Sequence, residues 1–246
     1  MSAKGRAAIF LFSFKPLVVD EVEFPDPGPD QVLVKLFSSG VCHSQLHSMG
    51  RPPRPGHRLP ALLGHESTGV VAAKGRDVKH VKEGDHVITT WVDRDSSTTT
   101  QPLVAHALND RAQYTAAWKG KEVMHSAATW AEYALAQERV VVPLPKDMPT
   151  DVTAIVGCAV MTGAGAIINT LQVRAGQSVA VFGAGGIGLC AIAAAAIVDA
   201  HPVIAVDVSE EKLALARRFG ATHSVNGREA DAVKSIQELT GGGADY

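Results

Sequence analysis

From Val179 to Gly188 the chain reads Val-Ala-Val-Phe-Gly-Ala-Gly-Gly-Ile-Gly, an apolar strand-like run that passes into Gly-x-Gly-x-x-Gly and then into the alanine-rich stretch Leu189 to Ala200. A bare glycine pattern says little. Set between a buried-type strand and a helix, Gly183, Gly185, Gly186 and Gly188 have defined work: a tight turn, close backbone approach to a pyrophosphate at a helix N-terminus, and close helix–strand packing. Asp207 follows Gly188 by 19 residues, at the end of the next strand-like run, Val203 to Val206. A carboxylate there accepts from both adenosine-ribose hydroxyls and repels a 2′-phosphate, and the neighbouring Val208 supplies no cation to hold one, so NAD is favoured over NADP. Glu210 to Phe219 and Thr222 to Val225 continue the alternation, which reads as a parallel α/β sheet.

Upstream the character is different. From Arg6 to about Val142 short β-like runs alternate with Gly and Pro: Ala7 to Phe14, Leu17 to Phe24, Gln31 to Ser38, Ser67 to Ala73, His86 to Thr90, Glu132 to Ala136 and Val140 to Val142. A chain of 246 residues has room for two modest domains. The change of pattern places their boundary near residue 156, giving a β-rich unit over 1–156 and an α/β unit over 157–246. Asp151 to Asn169 reads as helical, with Cys158 inside it and Thr162-Gly163-Ala164-Gly165 interrupting it. Trp91 to Trp130 is polar and holds no sustained period, so it reads either as an ordered lobe or as a long surface excursion.

Charge excludes some partners. The chain carries 23 Lys and Arg against 25 Asp and Glu, and no basic field recommends nucleic acid or an anionic membrane. A small molecule is the expected partner. The longest apolar stretch, Ile187 to Val198, has 12 residues, short of the roughly 20 that a membrane span needs. Three cysteines, an odd set without short paired spacing, fit a reducing compartment better than a disulfide framework, so a cytoplasmic location is expected.

Gly40-Val41-Cys42-His43-Ser44-Gln45-Leu46-His47 packs a thiol, a hydroxyl and two imidazoles into eight residues directly after a strand-like run. Two further stretches can join Cys42 around a metal, Gly64-His65-Glu66 and Gly157-Cys158. A catalytic zinc takes three protein ligands and keeps one position open, and two thiolates with one imidazole is a known set. A cysteine taken alone is more often a small core residue, and Cys190, among Leu189, Ala191 and Ile192, is read that way. Polar neighbours set Cys42 apart, and His65 lies in a Gly-His-Glu turn where a purely structural imidazole is an odd choice.

Taken together, Gly40-Val41-Cys42-His43-Ser44, Gly64-His65-Glu66 with Gly69-Val70-Val71, Gly75, Val78 and Gly84-Asp85-His86-Val87, Gly157-Cys158, Thr162-Gly163-Ala164-Gly165-Ala166, the glycine loop and Asp207 resemble the zinc-containing medium-chain alcohol dehydrogenases over essentially the whole chain. The resemblance implies a GroES-like β-barrel catalytic domain followed by a Rossmann nucleotide-binding domain, with one catalytic zinc in the cleft between them. It implies Cys42, His65 and Cys158 as zinc ligands, Glu66 just behind the metal, Ser44 bonded to the alcohol, and His47 as the outer imidazole of a proton relay. His43 matches a pyrophosphate-binding position, Thr162 one beside the nicotinamide, Ile187 the aliphatic residue behind its ring, Lys212 an adenosine-ribose contact, and Trp91 an aromatic wall of the substrate pocket. The implied reaction is hydride transfer between an alcohol and NAD, giving an aldehyde or ketone, in a homodimer or homotetramer when full length. A thiol–formaldehyde adduct is the alternative substrate, and a nucleotide-binding fragment without turnover the alternative from another class.

Three departures from the family pattern stand out. Many relatives hold a structural zinc with four cysteines in the lobe that here runs from Trp91 to Trp130, and this segment has no cysteine, so no structural zinc is expected. Gln45 stands where an acidic residue commonly orients the ligand histidine. The chain ends at Gly241-Gly242-Gly243-Ala244-Asp245-Tyr246, where the family enters its fourth nucleotide-domain strand, so the expectation is half a Rossmann domain with Ser178 to Phe182 at an open edge, weak NAD binding and little turnover.

Overall fold

The computed structural model describes residues 2–52, 59–93, 114–125 and 128–246, and within it the chain forms two compact units, Met1–Cys158 and Ala159–Tyr246. The first is β-rich. Among the described residues its strands are β1 (Ala3–Phe10), β2 (Val18–Phe24), β3 (Gln31–Ser39), β4 (Ala61–Leu62), β5 (Ser67–Lys74), β6 (His86–Thr89), β7 (Tyr114–Trp118), β8 (Lys121–His125), β9 (Tyr133–Gln137) and β10 (Val141–Pro143), and a helix, α1 (His43–Met49), follows β3. Strands β1, β2, β7, β8 and β4 close into a barrel, and β10-β6-β5-β3-β9 form a second, five-stranded sheet. Alternate residues of the barrel strands, among them Ile9, Val22, Phe24 and Val123, meet inside it, while Val32, Val34, Val71, Val87 and Val141 build a separate valine-rich core.

Two local readings change. Strand β1 starts and ends four residues earlier than expected, because pairing of Ile9 with Val18 begins the turn after Phe10. The apolar residues beyond it lie in that turn, where Phe14 adopts φ 61° and its N–H donates to Met49 O at 2.8 Å. The stretch that opens at Trp91 supplies the hairpin β7–β8, which completes the barrel, whereas 94–113 and 126–127 lie outside the described residues. Lys119 and Gly120 form its two-residue turn, both at positive φ. Lys119 rests over the Trp118 ring, and both residues hold Asp20: the indole N–H at 2.9 Å, the ammonium at 2.9 Å. Those two bonds and the Glu21 N–H pull the Asp20 carboxyl down to about 2.

The second unit is a three-stranded parallel sheet, β11 (Val179–Phe182), β12 (Val203–Asp207) and β13 (His223–Asn226), with helices α2 (Ala159–Gly165), α3 (Gly186–Ile197), α4 (Glu210–Arg218) and α5 (Ala232–Thr240). Successive residues of β12 face opposite ways: Val203 and Ala205 pack with Ile192 and Leu213 on the side of α3 and α4, and Ile204 and Val206 pack with Val225 and Ile236 on the side of α5. Helices on both faces of a parallel sheet make this the opening half of a doubly wound fold, as the alternation implies. Asp231 caps α5 through Val233 N and Lys234 N, and Gly241 ends it at φ 70°. The edge of β11 is not bare. Tyr246 N donates to Ser178 O and Ala180 N to Tyr246 O, while the Asp245 carboxylate accepts from Ser178 N and Oγ, so the last two residues pair with the start of that strand.

Candidate metal centre and nucleotide loop

Strands β3, β5 and β6 lie side by side, and their registers bring Ser39, Ser67 and Thr89 into one row across the sheet. Everything that leaves the sheet from that row meets. Chain direction carries β3 out through Gly40 and Val41 to Cys42, at the N-terminus of α1, while His65 and Glu66 lead into β5. On the other side, Thr90 donates through Oγ1 to Gly157 O at 2.9 Å and draws in the 3₁₀ turn Thr153–Gly157, which ends at Cys158. Gly157 has to be glycine, because a Cβ there lies 2.3 Å from Thr89 O.

The row thus assembles one Cys Sγ, one imidazole and a second Cys Sγ from Cys42, His65 and Cys158, all within 4.8 Å of one another. The donor set is the one expected from the sequence. The region 151–169 is a 3₁₀ turn, α2 and a π turn (Ala166–Thr170) rather than one helix, and Cys158 sits at the junction instead of within it. Gln45 is buried and its amide meets His65 Nδ1 at 2.5 Å, so a metal on His65 would be held through Nε2. Ligation through Nε2 places the proton on Nδ1, so the matching amide orientation presents Oε1 to it; the two ends of an amide are close in shape. Glu66 is buried with its carboxyl packed against Gly40, where a Cβ comes within 2.5 Å of it.

Burial pushes the Cys158 thiol up to about 11, with Cys42 and Glu66 adding to the rise and the Trp91 indole opposing it. Without a metal the group is a neutral thiol at neutral pH. A metal binds the thiolate, so binding must expel that proton, and affinity rises with pH up to the thiol's own pKa. Zinc uptake should therefore release at least one proton per chain, and its dissociation constant should fall by about tenfold per pH unit for each proton displaced. Chelator competition across a pH series checks this, and a pH-independent constant would contradict it.

Ser44, His47 and His43 lie on α1. Ser44 Oγ donates to Cys42 Sγ at 3.3 Å, and His47, one turn further on, meets His43 edge-to-face with ring centroids 4.8 Å apart. In the second unit, Gly183 takes φ 95°, and a Cβ on Gly188 would lie 1.9 Å from Gly183 O, so turn geometry and packing fix these two glycines. Gly185 and Gly186 differ: a Cβ on either meets nothing within 4 Å. Among the described residues no contact demands glycine there, whereas a ligand lying against the backbone would. Asp207 Oδ2 accepts from Ala184 N at 2.8 Å, and its Oδ1 accepts from Val208 N and Ser209 N. Burial raises this carboxyl, but the N–H groups of Ala184, Ser209 and Val208, with the charge of Lys212, outweigh it and hold it below the usual range. Ile187 is half exposed at the start of α3 and Thr162 is exposed on α2, where its neighbour Gly163 packs against Ile187 O and Cys190.

Comparison with known proteins agrees with this arrangement. Residues 28–146 match the alcohol dehydrogenase GroES-like domain and residues 186–246 the zinc-binding dehydrogenase domain. An alcohol dehydrogenase zinc-binding domain protein from Burkholderia ambifaria is 35% identical with a TM-score of 0.91, over 100% of this chain and 70% of its own. Benzyl alcohol dehydrogenase from Acinetobacter calcoaceticus is 33% identical with a TM-score of 0.88, over 99% of this chain and 69% of its own. An oxidoreductase/dehydrogenase of unknown specificity from Escherichia coli is 26% identical with a TM-score of 0.76, over 97% and 67%.

Proposed function

The chain belongs to the zinc-binding alcohol dehydrogenases of the medium-chain dehydrogenase/reductase family, a family of oxidoreductases, and on that premise we propose that it transfers a hydride between an alcohol and NAD with one zinc held by Cys42, His65 and Cys158. The observation that carries this reading is the cluster of two thiols and one imidazole, three donors of the kind that hold zinc with a fourth position left for substrate. Bound there, zinc supplies the Lewis acidity that lowers the pKa of an alcohol oxygen, and a bound nicotinamide supplies the hydride acceptor.

The chain's own residues supply the rest. Ser44 Oγ, beside Cys42 Sγ, is placed to take the alcohol's proton as it passes its own on, and His47 on the same helix face receives it toward solvent. Gln45 orients His65, and Glu66 adds negative charge behind the cluster. Gly185 and Gly186 leave room for a pyrophosphate. Asp207, ionised and held by three N–H groups, retains acceptor capacity for the ribose hydroxyls and repels a 2′-phosphate, with Lys212 nearby as a second ribose contact. Thr162 and Ile187 complete the proposed nicotinamide site, and Trp91 the substrate wall. Among the described residues no helix is long and apolar enough to cross a membrane. We take the enzyme as a homo-oligomer of the cytoplasm.

The test is alcohol-dependent NADH formation by zinc-loaded protein, with NAD and NADP compared. Benzyl alcohol comes first because a 33% identical relative is a benzyl alcohol dehydrogenase, followed by aliphatic alcohols and thiol–formaldehyde adducts. Because Asp245 and Tyr246 pair with the edge of β11, whose exposure was the ground for expecting little turnover, the expected result is turnover with NAD that disappears on zinc removal and returns on reloading. Activity only on the adducts would move the substrate class, and zinc and NAD binding without turnover would leave a nucleotide-binding fragment. Turnover that survives zinc removal would reject the mechanism.

A further inference from the structure

Cys42 and His65 leave adjacent strands, yet each ligand-bearing turn is gripped by a dipeptide from far along the chain, Thr129-Trp130. Trp130 N donates to Leu63 O at 3.0 Å, and the Trp130 indole N–H donates to Gly40 O at 2.9 Å. Thr129 is fully buried with Oγ1 2.9 Å from Ser39 Oγ, and Ser39 Oγ donates to Glu66 O at 3.0 Å. Gly40 N also donates to Glu66 O at 3.1 Å. The same contacts explain Gly64: at φ 96°, a Cβ on it would lie 2.4 Å from Thr129 Oγ1 and 2.6 Å from Trp130 N.

We propose that Thr129-Trp130 is a positioning brace for the metal site, fixing the spacing of the Gly40–Cys42 and Gly64–Glu66 turns and so the tightness and geometry with which the metal is held. It rests on the reading of Cys42, His65 and Cys158 as the metal ligands. The brace touches Gly40, two residues before Cys42, and Gly64, one before His65, but neither ligand side chain in any bond described above. Phenylalanine at 130 would fill much of the same space and lose the bond to Gly40 O. A brace made of partly buried hydrogen bonds holds two turns at one separation, and a turn that gains freedom lets its ligand drift by the tenths of an ångström that tetrahedral zinc resists.

The test uses the full chain loaded with cobalt(II), whose visible bands report ligand geometry. Trp130→Phe and Thr129→Val are each expected to shift those bands and to speed cobalt loss to a chelator by about tenfold, the low end of the effect of groups that orient ligands. Trp118→Phe, which cuts the indole bond to Asp20 in the barrel wall, is the structural control. It should lower the melting temperature and leave spectrum and loss rate at wild-type values. Unchanged bands and rates in Thr129→Val overturn the brace even if Trp130→Phe does not fold. Failure of the wild type to bind cobalt, or equal binding by Cys158→Ala, would instead remove the ligand assignment and the brace with it.

Discussion

Cys158→Ala should leave the protein folded and nearly unable to hold zinc, with affinity reduced on the order of a thousandfold. Binding free energies of about 10–16 kcal/mol are spread over four ligands in structural zinc sites, so one thiolate of three carries several kcal/mol. Among the described residues, Cys42, His65 and Cys158 are the one group of three metal-binding side chains within reach of each other. The fold should survive because alanine removes one sulfur at the end of a 3₁₀ turn whose anchor, Thr90 Oγ1 to Gly157 O, is untouched. Metal analysis after dialysis against a weak chelator checks this: about one zinc per wild-type chain and almost none in the variant. Two zincs in wild type, or full retention in the variant, would count against the assignment.

Gly188→Ala and Gly185→Ala should part ways. At Gly188 the added methyl would lie 1.9 Å from Gly183 O, a carbonyl of the same tight loop, and neither atom belongs to a flexible side chain. Loop and helix must separate, at a cost of about 3–5 kcal/mol. For a unit of this size that is a fall of roughly 10–40 °C in its melting temperature. Gly185 adopts φ −83° and ψ −169°, which alanine accepts, and its Cβ would enter open space. Stability there should move by less than about 1 kcal/mol, while NAD affinity falls at least tenfold because the methyl occupies the pyrophosphate's approach. Thermal melting and NAD titration of the two variants settle it, and a Gly185→Ala protein that binds NAD normally would remove the ligand from that side of the loop.

These contrasts show what the residues reveal by themselves. The glycine loop, β12 and Asp207 are legible because each signal is local: a strand, a turn and a carboxylate within 30 residues of one another. Cys42, His65 and Cys158 stand out by type, but the reason they meet is the row Ser39, Ser67 and Thr89, which is a matter of strand register. Helix α1 carries no sustained apolar period and is held by its surroundings, through Gln45 on His65 and Met49 O on Phe14. The hairpin β7–β8 turns on Lys119-Gly120, and lysine is a weak signal for a left-handed turn position that asparagine more often fills. Helix α5 lies beyond the elements read from the sequence, although Asp231 and Gly241 are ordinary start and stop residues. The Thr129-Trp130 contacts had no sequence signal, because their partners lie about 65 to 90 residues away.

That row of Ser39, Ser67 and Thr89 also orders events in time. Cys42 and His65 are 23 residues apart in the chain, and Cys158 follows His65 by 93. Before the three strands zip together, the donors are remote points on a coil, and closing both loops around an ion costs entropy that grows with their length. Afterwards the sheet has met that cost with its own ladder, and the buried Ser67–Thr89 hydroxyl pair, 2.6 Å apart, ties two of the strands at the row itself. With Cys42, His65 and Cys158 holding zinc as proposed, metal capture would come last in the maturation of this unit: the ion would arrive at donors already gathered, and its departure would leave the ladder standing.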